Sequence, residues 1–274
     1  MGRKIGTLIF SFIFVTTAFA SGDSTFRLTL QKVIPGDYTN FYTDNLGDIF
    51  LVSNTNQIKK LNADLDSVGV FNDVRRYGTI YSLDVSNPLK MIVYYKDFTT
   101  ILVLDRFLNT RNTIDLRKYD ILQARAVALS YDNNYWIFDE LDNKIKKIDD
   151  NGNVLLQSSD FRILFQEQYA PSYMIDSNGL LYLYDEKKGW LVFDYYGTYK
   201  QAIGATNRRD IQIAGNQLIS RDSARFYYYN PKTFNEIKIT APQIAFPETI
   251  KVQQTLNKIF VLQKDGLSVY TINK

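Results

Sequence analysis

Cysteine and histidine are both missing from the sequence. Without cysteine there can be no disulfide, no thiol nucleophile and no lipid-anchored export signal. Without histidine the usual general base near neutral pH and the commonest metal ligand are gone. Together the two absences exclude the common zinc sites. Carboxylates, Tyr, Lys and Arg remain for chemistry, no spaced acid pair or nucleophile motif stands out among them, and neither a cofactor nor a metal is expected. Long apolar runs are missing too. The longest, residues 5–17, falls short of the roughly 20 residues needed to span a bilayer.

That short run has the layout of a secretion signal. Arg3 and Lys4 precede it, a small-x-small site, Ala18-Phe19-Ala20, follows it, and polar Ser21-Gly22-Asp23-Ser24 comes next. Residues 1–20 are therefore expected to be removed, leaving 21–274 as a periplasmic product with no membrane span. Without Arg3 and Lys4, the 32 basic residues fall to 30 against 29 acidic ones. A net charge so close to zero argues against nucleic acid as a partner. About 250 residues suffice for a core without staples.

What the chain has in abundance is strand-like phrases at a fixed period. Those ending at Asn62, Asp105, Asp149, Asn230 and Thr271, with a sixth at Asp194, are 36 to 45 residues apart. Each follows a second apolar run, and Asn, Asp and Gly cluster between the two, the pattern of β-hairpins. A strand-rich unit of about 40 residues is one propeller blade. The sequence thus predicts an all-β, six-bladed propeller of four-stranded antiparallel blades, with inner strands near Phe41, Ile80, Val127, Tyr173, Ile211 and Ile250. The last repeat ends without an outer strand, and residues 25–34 alternate without another assignment. They are expected to close the ring as the outer strand of the sixth blade, covering an open edge.

The hairpin phrases Asp44-Asn-Leu-Gly-Asp-Ile-Phe-Leu-Val52 and Asp176-Ser-Asn-Gly-Leu-Leu-Tyr-Leu-Tyr184 resemble the D-x-x-G-x-[IL]-[YF]-[LV] hairpin of NHL-repeat and TolB-like six-bladed propellers. The resemblance covers the mature chain as a repeat and implies the fold. It implies little about function, because that fold carries binding proteins and enzymes alike. The second repeat lacks the glycine and the fifth is short.

Several motifs read as structure. The paired lysines Lys59-Lys60 and Lys146-Lys147 are expected as solvated strand decoration. The stretch Asp149-Asp-Asn-Gly-Asn153 lacks the spacing of a calcium loop and reads as a hairpin turn. Most residues of the Tyr94–95, Tyr195–196 and Tyr227–229 runs are expected in blade-to-blade packing.

The crossings between blades carry the candidate site. Arg75, Arg76 and Tyr77 stand between blades one and two, Arg208 and Arg209 between four and five, and Arg117, Lys118 and Arg125 at the two-to-three crossing. Opposite placement of blades two and five would bring the arginine pairs face to face across the channel mouth. Arginine is favoured for carboxylate and phosphate recognition and at interface hot spots. The opposing expectation is neutralisation by Asp97, Glu140, Asp142 and Glu186 on the same face. A binding or scaffold module of the cell envelope is expected, engaging an envelope protein or complex, or an anionic glycan. The alternatives are a polysaccharide lyase or hydrolase acting at the channel mouth, and a structural subunit of an outer-membrane complex.

Overall fold

The computed structural model describes residues 24–255 and 257–273, without the side chains of Ser24, Val74 and Arg75. Residues 1–20, expected to be a signal, lie outside the described residues. Six antiparallel sheets form the ring. Blade one consists of Tyr38–Thr43, Ile49–Ser53, Ile58–Leu61 and Ser67–Phe71. Blade two follows with Ser82–Asn87, Lys90–Tyr95, Thr100–Asp105 and Thr110–Asp115. Blades three and four open on inner strands Ala124–Leu129 and Tyr173–Ser177, and blades five and six on Arg209–Ala214 and Lys251–Gln254. The expected inner-strand positions fall in these strands, except that Ile80 and Ile250 precede theirs by two residues and one.

Closure is as the sequence predicts, with one addition. Arg27–Pro35 pairs antiparallel with Gly266–Asn273 as the fourth strand of blade six. Just before it, Ser24–Thr25 pairs in parallel with the outer strand of blade five, in register with Ile239 and Thr240. The amino-terminal segment therefore joins two blades.

Period-two alternation accounts for the core. Along Ile49–Ser53, Phe50 and Val52 enter the cluster shared with blade two, while Ile49 and Leu51 enter the one shared with blade six. In Lys90–Tyr95, Met91, Val93 and Tyr95 face blade one, and Ile92 and Tyr94 face blade three. Neighbouring side chains point to opposite sheet faces, and here both faces are covered. The middle strands accordingly read as continuous apolar runs. Tyr94, Tyr95, Tyr227 and Tyr228 are buried in these interfaces, while Tyr196 stays exposed on a turn.

In the first four repeats, the carboxylate or amide that ends the phrase clamps the turn between third and fourth strands. Asp149 Oδ1 accepts from the backbone N–H of Asn151 at 2.8 Å and of Asn153 at 2.9 Å. Asn62, Asp105 and Asp194 make the same pair of bonds to the second and fourth residues after themselves. Asp149→Ala is expected to cost about 1 kcal/mol, as for loss of a helix cap, and Asp149→Asn almost nothing, since Asn62 does the same work; urea unfolding checks both. Hydrogen bonds, first from the Asn153 side chain and then from backbone N–H groups, hold the Asp149 carboxyl below its usual range. In Asp105 and Asp194 burial opposes the shift but the donors outweigh it. With folded values depressed, the stabilisation is complete above the unfolded value near pH 4 and disappears as the pH falls through the folded values.

The repeated lysines differ from expectation. Lys60, Lys146 and Lys147 are buried. Lys60 pairs with Asp48 at 2.9 Å, and Lys147 with Asp132 at 2.6 Å, so the second lysine of each phrase reaches the turn that opens its own blade. Lys147 also lies 4.8 Å over the Trp136 ring and 4.3 Å over Tyr195. Lys146 pairs with Asp139 and Asp142 toward the other face. Because a neighbouring blade covers each side of these strands, the long side chains run out along the blade surface and end on carboxylates at its rim.

Candidate binding site at the channel

The six inner strands surround a channel of about 1270 Å³. Much of its polar lining braces one blade to the next. Asp84 accepts from Leu129 N–H of blade three at 2.7 Å and from Ser86 N–H at 2.8 Å. Asp176 accepts from Ser130 Oγ at 3.0 Å and from Trp136 Nε1 at 3.0 Å. Asp210 accepts from Val252 N–H of blade six at 2.8 Å and from Arg221 Nε. Gln212 and Gln254 exchange side-chain-to-backbone bonds of 2.8 and 2.9 Å. Such pairing satisfies groups that would otherwise be costly to enclose.

Lys251 is of another kind. Its Nζ donates to Asn40 Oδ1 at 2.8 Å and sits 3.7 Å from the centroid of the Tyr42 ring. Burial pulls its pKa down to about 8, against an opposing contribution from Asp210. Burial also pushes the Tyr42 phenol up to about 12 and raises the Asp84 carboxyl, whose donors offset the effect only in part. These groups line the channel, yet protein surrounds them closely enough to disfavour charge.

No family model matches the chain, and a search of curated proteins finds no match. Solved structures do resemble it. The WD40 domain of Pan2 from Neurospora crassa matches with a TM-score of 0.62 at 12% identity, covering 92% of this chain and 97% of that one. A catalytically inactive virginiamycin B lyase from Staphylococcus aureus, solved with quinupristin, matches with a TM-score of 0.63 at 11% identity, over 90% of this chain and 100% of the lyase. A streptogramin B lyase gives 0.60 at 10% identity, over 90% and 98%. At these identities the likeness is one of fold. It supports a propeller and leaves an NHL-repeat or TolB-like membership unconfirmed.

Among the arginines singled out in the sequence, Arg208 and Arg209 line the channel. Arg208 is held flat, its guanidinium 3.2 Å from the Tyr227 ring centroid and 3.8 Å from both Asp222 and Glu236. Arg209, at the start of its inner strand, is exposed and has no side-chain partner among the described residues. Arg125 pairs with Glu140 at 2.7 Å, as the neutralisation expectation had it, and does not line the channel. Arg76 is exposed and lies 5.4 Å over the Tyr77 ring. Tyr77 itself is a core residue between blades one and two, its ring tilted 34° against Tyr95 with centroids 5.2 Å apart. A helical turn, Val74–Tyr77, rolls it inward and takes it out of any rim. The side chain of Arg75 lies outside the described residues. The structure thus brings two of the six together, and adds Lys251 and Asn40, which the sequence did not single out. The one available signal was a cation in an inner strand otherwise made of Val and Gln.

Proposed function

We propose that the protein is a non-enzymatic binding or scaffold propeller of the cell envelope, exported to the periplasm, which engages an envelope protein through one face of the disc. We read its hairpins as those of NHL-repeat and TolB-like propellers, a platform that takes its function from its surfaces. The carrying observation is an arc of exposed apolar side chains on the face where the chain crosses from blade to blade. Phe98, Leu122, Leu141 and Ile163 are 44, 55, 51 and 79% exposed. They sit on consecutive connections, Ile163 in the short helix Phe161–Phe165, linked by hydrogen bonds: Thr99 Oγ1 donates to Leu122 O, Glu140 N–H to Gln123 O, and Arg162 to Asp142 O. Apolar surface gathered on one face of a soluble protein marks an interaction site.

Affinity capture from solubilised envelope, with the wild type beside Phe98→Ser and Ile163→Ser, tests the proposal. Both side chains are exposed, so thermal unfolding is expected to stay close to the wild type. An envelope protein held by the wild type and reduced about tenfold or more by either change is the expected result. Equal retention by all three proteins would overturn it.

A further inference from the structure

We propose that Lys251 and Arg209 form a receptor, at the crossing-face mouth of the channel, for an oxyanion: the carboxylate or phosphate group of a small molecule. The two residues are the first of the inner strands of adjacent blades. Cross-blade bonds set the level. Asp210 is joined to Val252, and Gln212 to Gln254, which places residue 209 beside 251. Both line the channel.

Charge accounting gives the chemistry. Asp210 is the carboxylate nearest to Lys251 in effect, but it is already occupied by Arg221 and by Val252 N–H. Asp222 and Glu236 are drawn to Arg208. Lys251 and Arg209 therefore have no ion-pair partner among the described residues, and Lys251 has its charge in a confined space. Glu186, also at this mouth, is exposed and makes no ion pair among the described residues. An enclosed ammonium bonded to one amide oxygen has two further N–H donors, and an anion would supply both the missing acceptor and the missing charge. Gln253 also lines the channel, and its buried Oε1 is unpartnered. Its amide can turn to offer an N–H donor. This site is separate from the apolar arc on blades two to four, so it can fail without affecting the docking of a protein there.

Proton linkage gives a readout of its own. The groups that act on Lys251 are Asp210 of blade five, which also holds Arg221, and Asn40, Phe41 and Tyr42 of blade one, while the strand register sets Arg209 beside it. A bound anion favours the ammonium and raises the Lys251 pKa; reciprocally, anion affinity is full below the free value of about 8 and falls as the pH rises through it.

The test uses succinate and inorganic phosphate as probes at constant ionic strength, by titration calorimetry and by NMR of lysine labelled at Cε. Expected are a Kd tighter than about 1 mM for at least one probe and an upward move of the Lys251 pKa on saturation. Succinate, a dianion throughout, should bind more weakly at pH 9.5 than at pH 7. Affinity should fall about tenfold or more in Lys251→Met and in Arg209→Gln. Arg209 is exposed, so its variant tests the site even if Lys251→Met folds poorly. Preference between the probes tells carboxylate from phosphate. Binding of both weaker than about 1 mM, or affinity unchanged in Arg209→Gln, overturns the proposal.

Discussion

Gly266→Ala is expected to open the ring. Gly266 sits where the last strand of the chain turns to meet the first, at φ +141°, a conformation L residues rarely adopt. A Cβ there would lie 2.2 Å from the carbonyl oxygen of Ile34 and 2.9 Å from the Cα of Pro35. Both are backbone atoms of the strand that closes blade six, so relief requires the two strands to part. A loss on the order of 3 kcal/mol is expected. For a protein of this size that lowers the midpoint of thermal unfolding by roughly 6–12 °C. Gly179→Ala is the control: φ is +76°, but a Cβ would meet nothing within 4 Å. Only the backbone preference is lost there, at about 1 kcal/mol. Deletion of residues 21–36 should be worse than either, because it leaves Gly266–Asn273 as an unpaired edge. A Gly266→Ala protein that unfolds within about 2 °C of the wild type would mean that the two chain ends contribute little to stability.

Arg221→Met is expected to cost about 3–5 kcal/mol, the loss typical when one partner of a buried ion pair is removed. Arg221 is 2% exposed and bonds Asp210 through Nε, with further bonds to the carbonyls of Asp222 at 3.2 Å and Thr249 at 3.5 Å. Its guanidinium lies 5.3 Å from the Phe246 ring centroid. Without it, the Asp210 carboxylate stays enclosed between blades five and six with the Val252 N–H but no paired cation. Adding Asp210→Asn to Arg221→Met should recover much of the loss, since the amide still accepts from Val252 N–H and carries no charge. Urea midpoints of the two single variants and the double variant measure this as a coupling energy. Additive losses would show that the pair is not an energetic unit.

Period and punctuation made the fold legible. Runs such as Met91–Tyr95 are apolar throughout because both faces are covered, and the Asn or Asp that ends five of the six repeated phrases announces a turn. The side chains beyond the backbone were harder to place. Lys147 reads as a surface residue because its partner, Asp132, stands 15 positions away on a turn and nothing local links the two. Arg75, Arg76 and Arg208 lie on crossings between blades and Arg209 opens an inner strand, but the direction of a crossing side chain depends on how the loop is wound. A single helical turn sends Tyr77 into the core, and the bulge between Ala124 and Ala126 in the inner strand of blade three sets Arg125 beside Glu140. Lys251 was invisible as a site for a related reason. Its isolation from carboxylates is a property of four strands in three blades, and no window of the sequence contains them all.

The strand that closes the ring has a consequence in time. Arg27–Pro35 is synthesised well before its partner Gly266–Asn273, with five blades encoded between them. Blade six cannot form until Gly266–Asn273 has been made, and until then Arg27–Pro35 lacks its partner while the intervening blades accumulate. Contacts so distant in sequence form slowly, and an unpaired edge during the wait invites association with other chains. Assembly of this propeller is therefore most vulnerable before Gly266–Asn273 arrives, whichever side of a membrane that happens on.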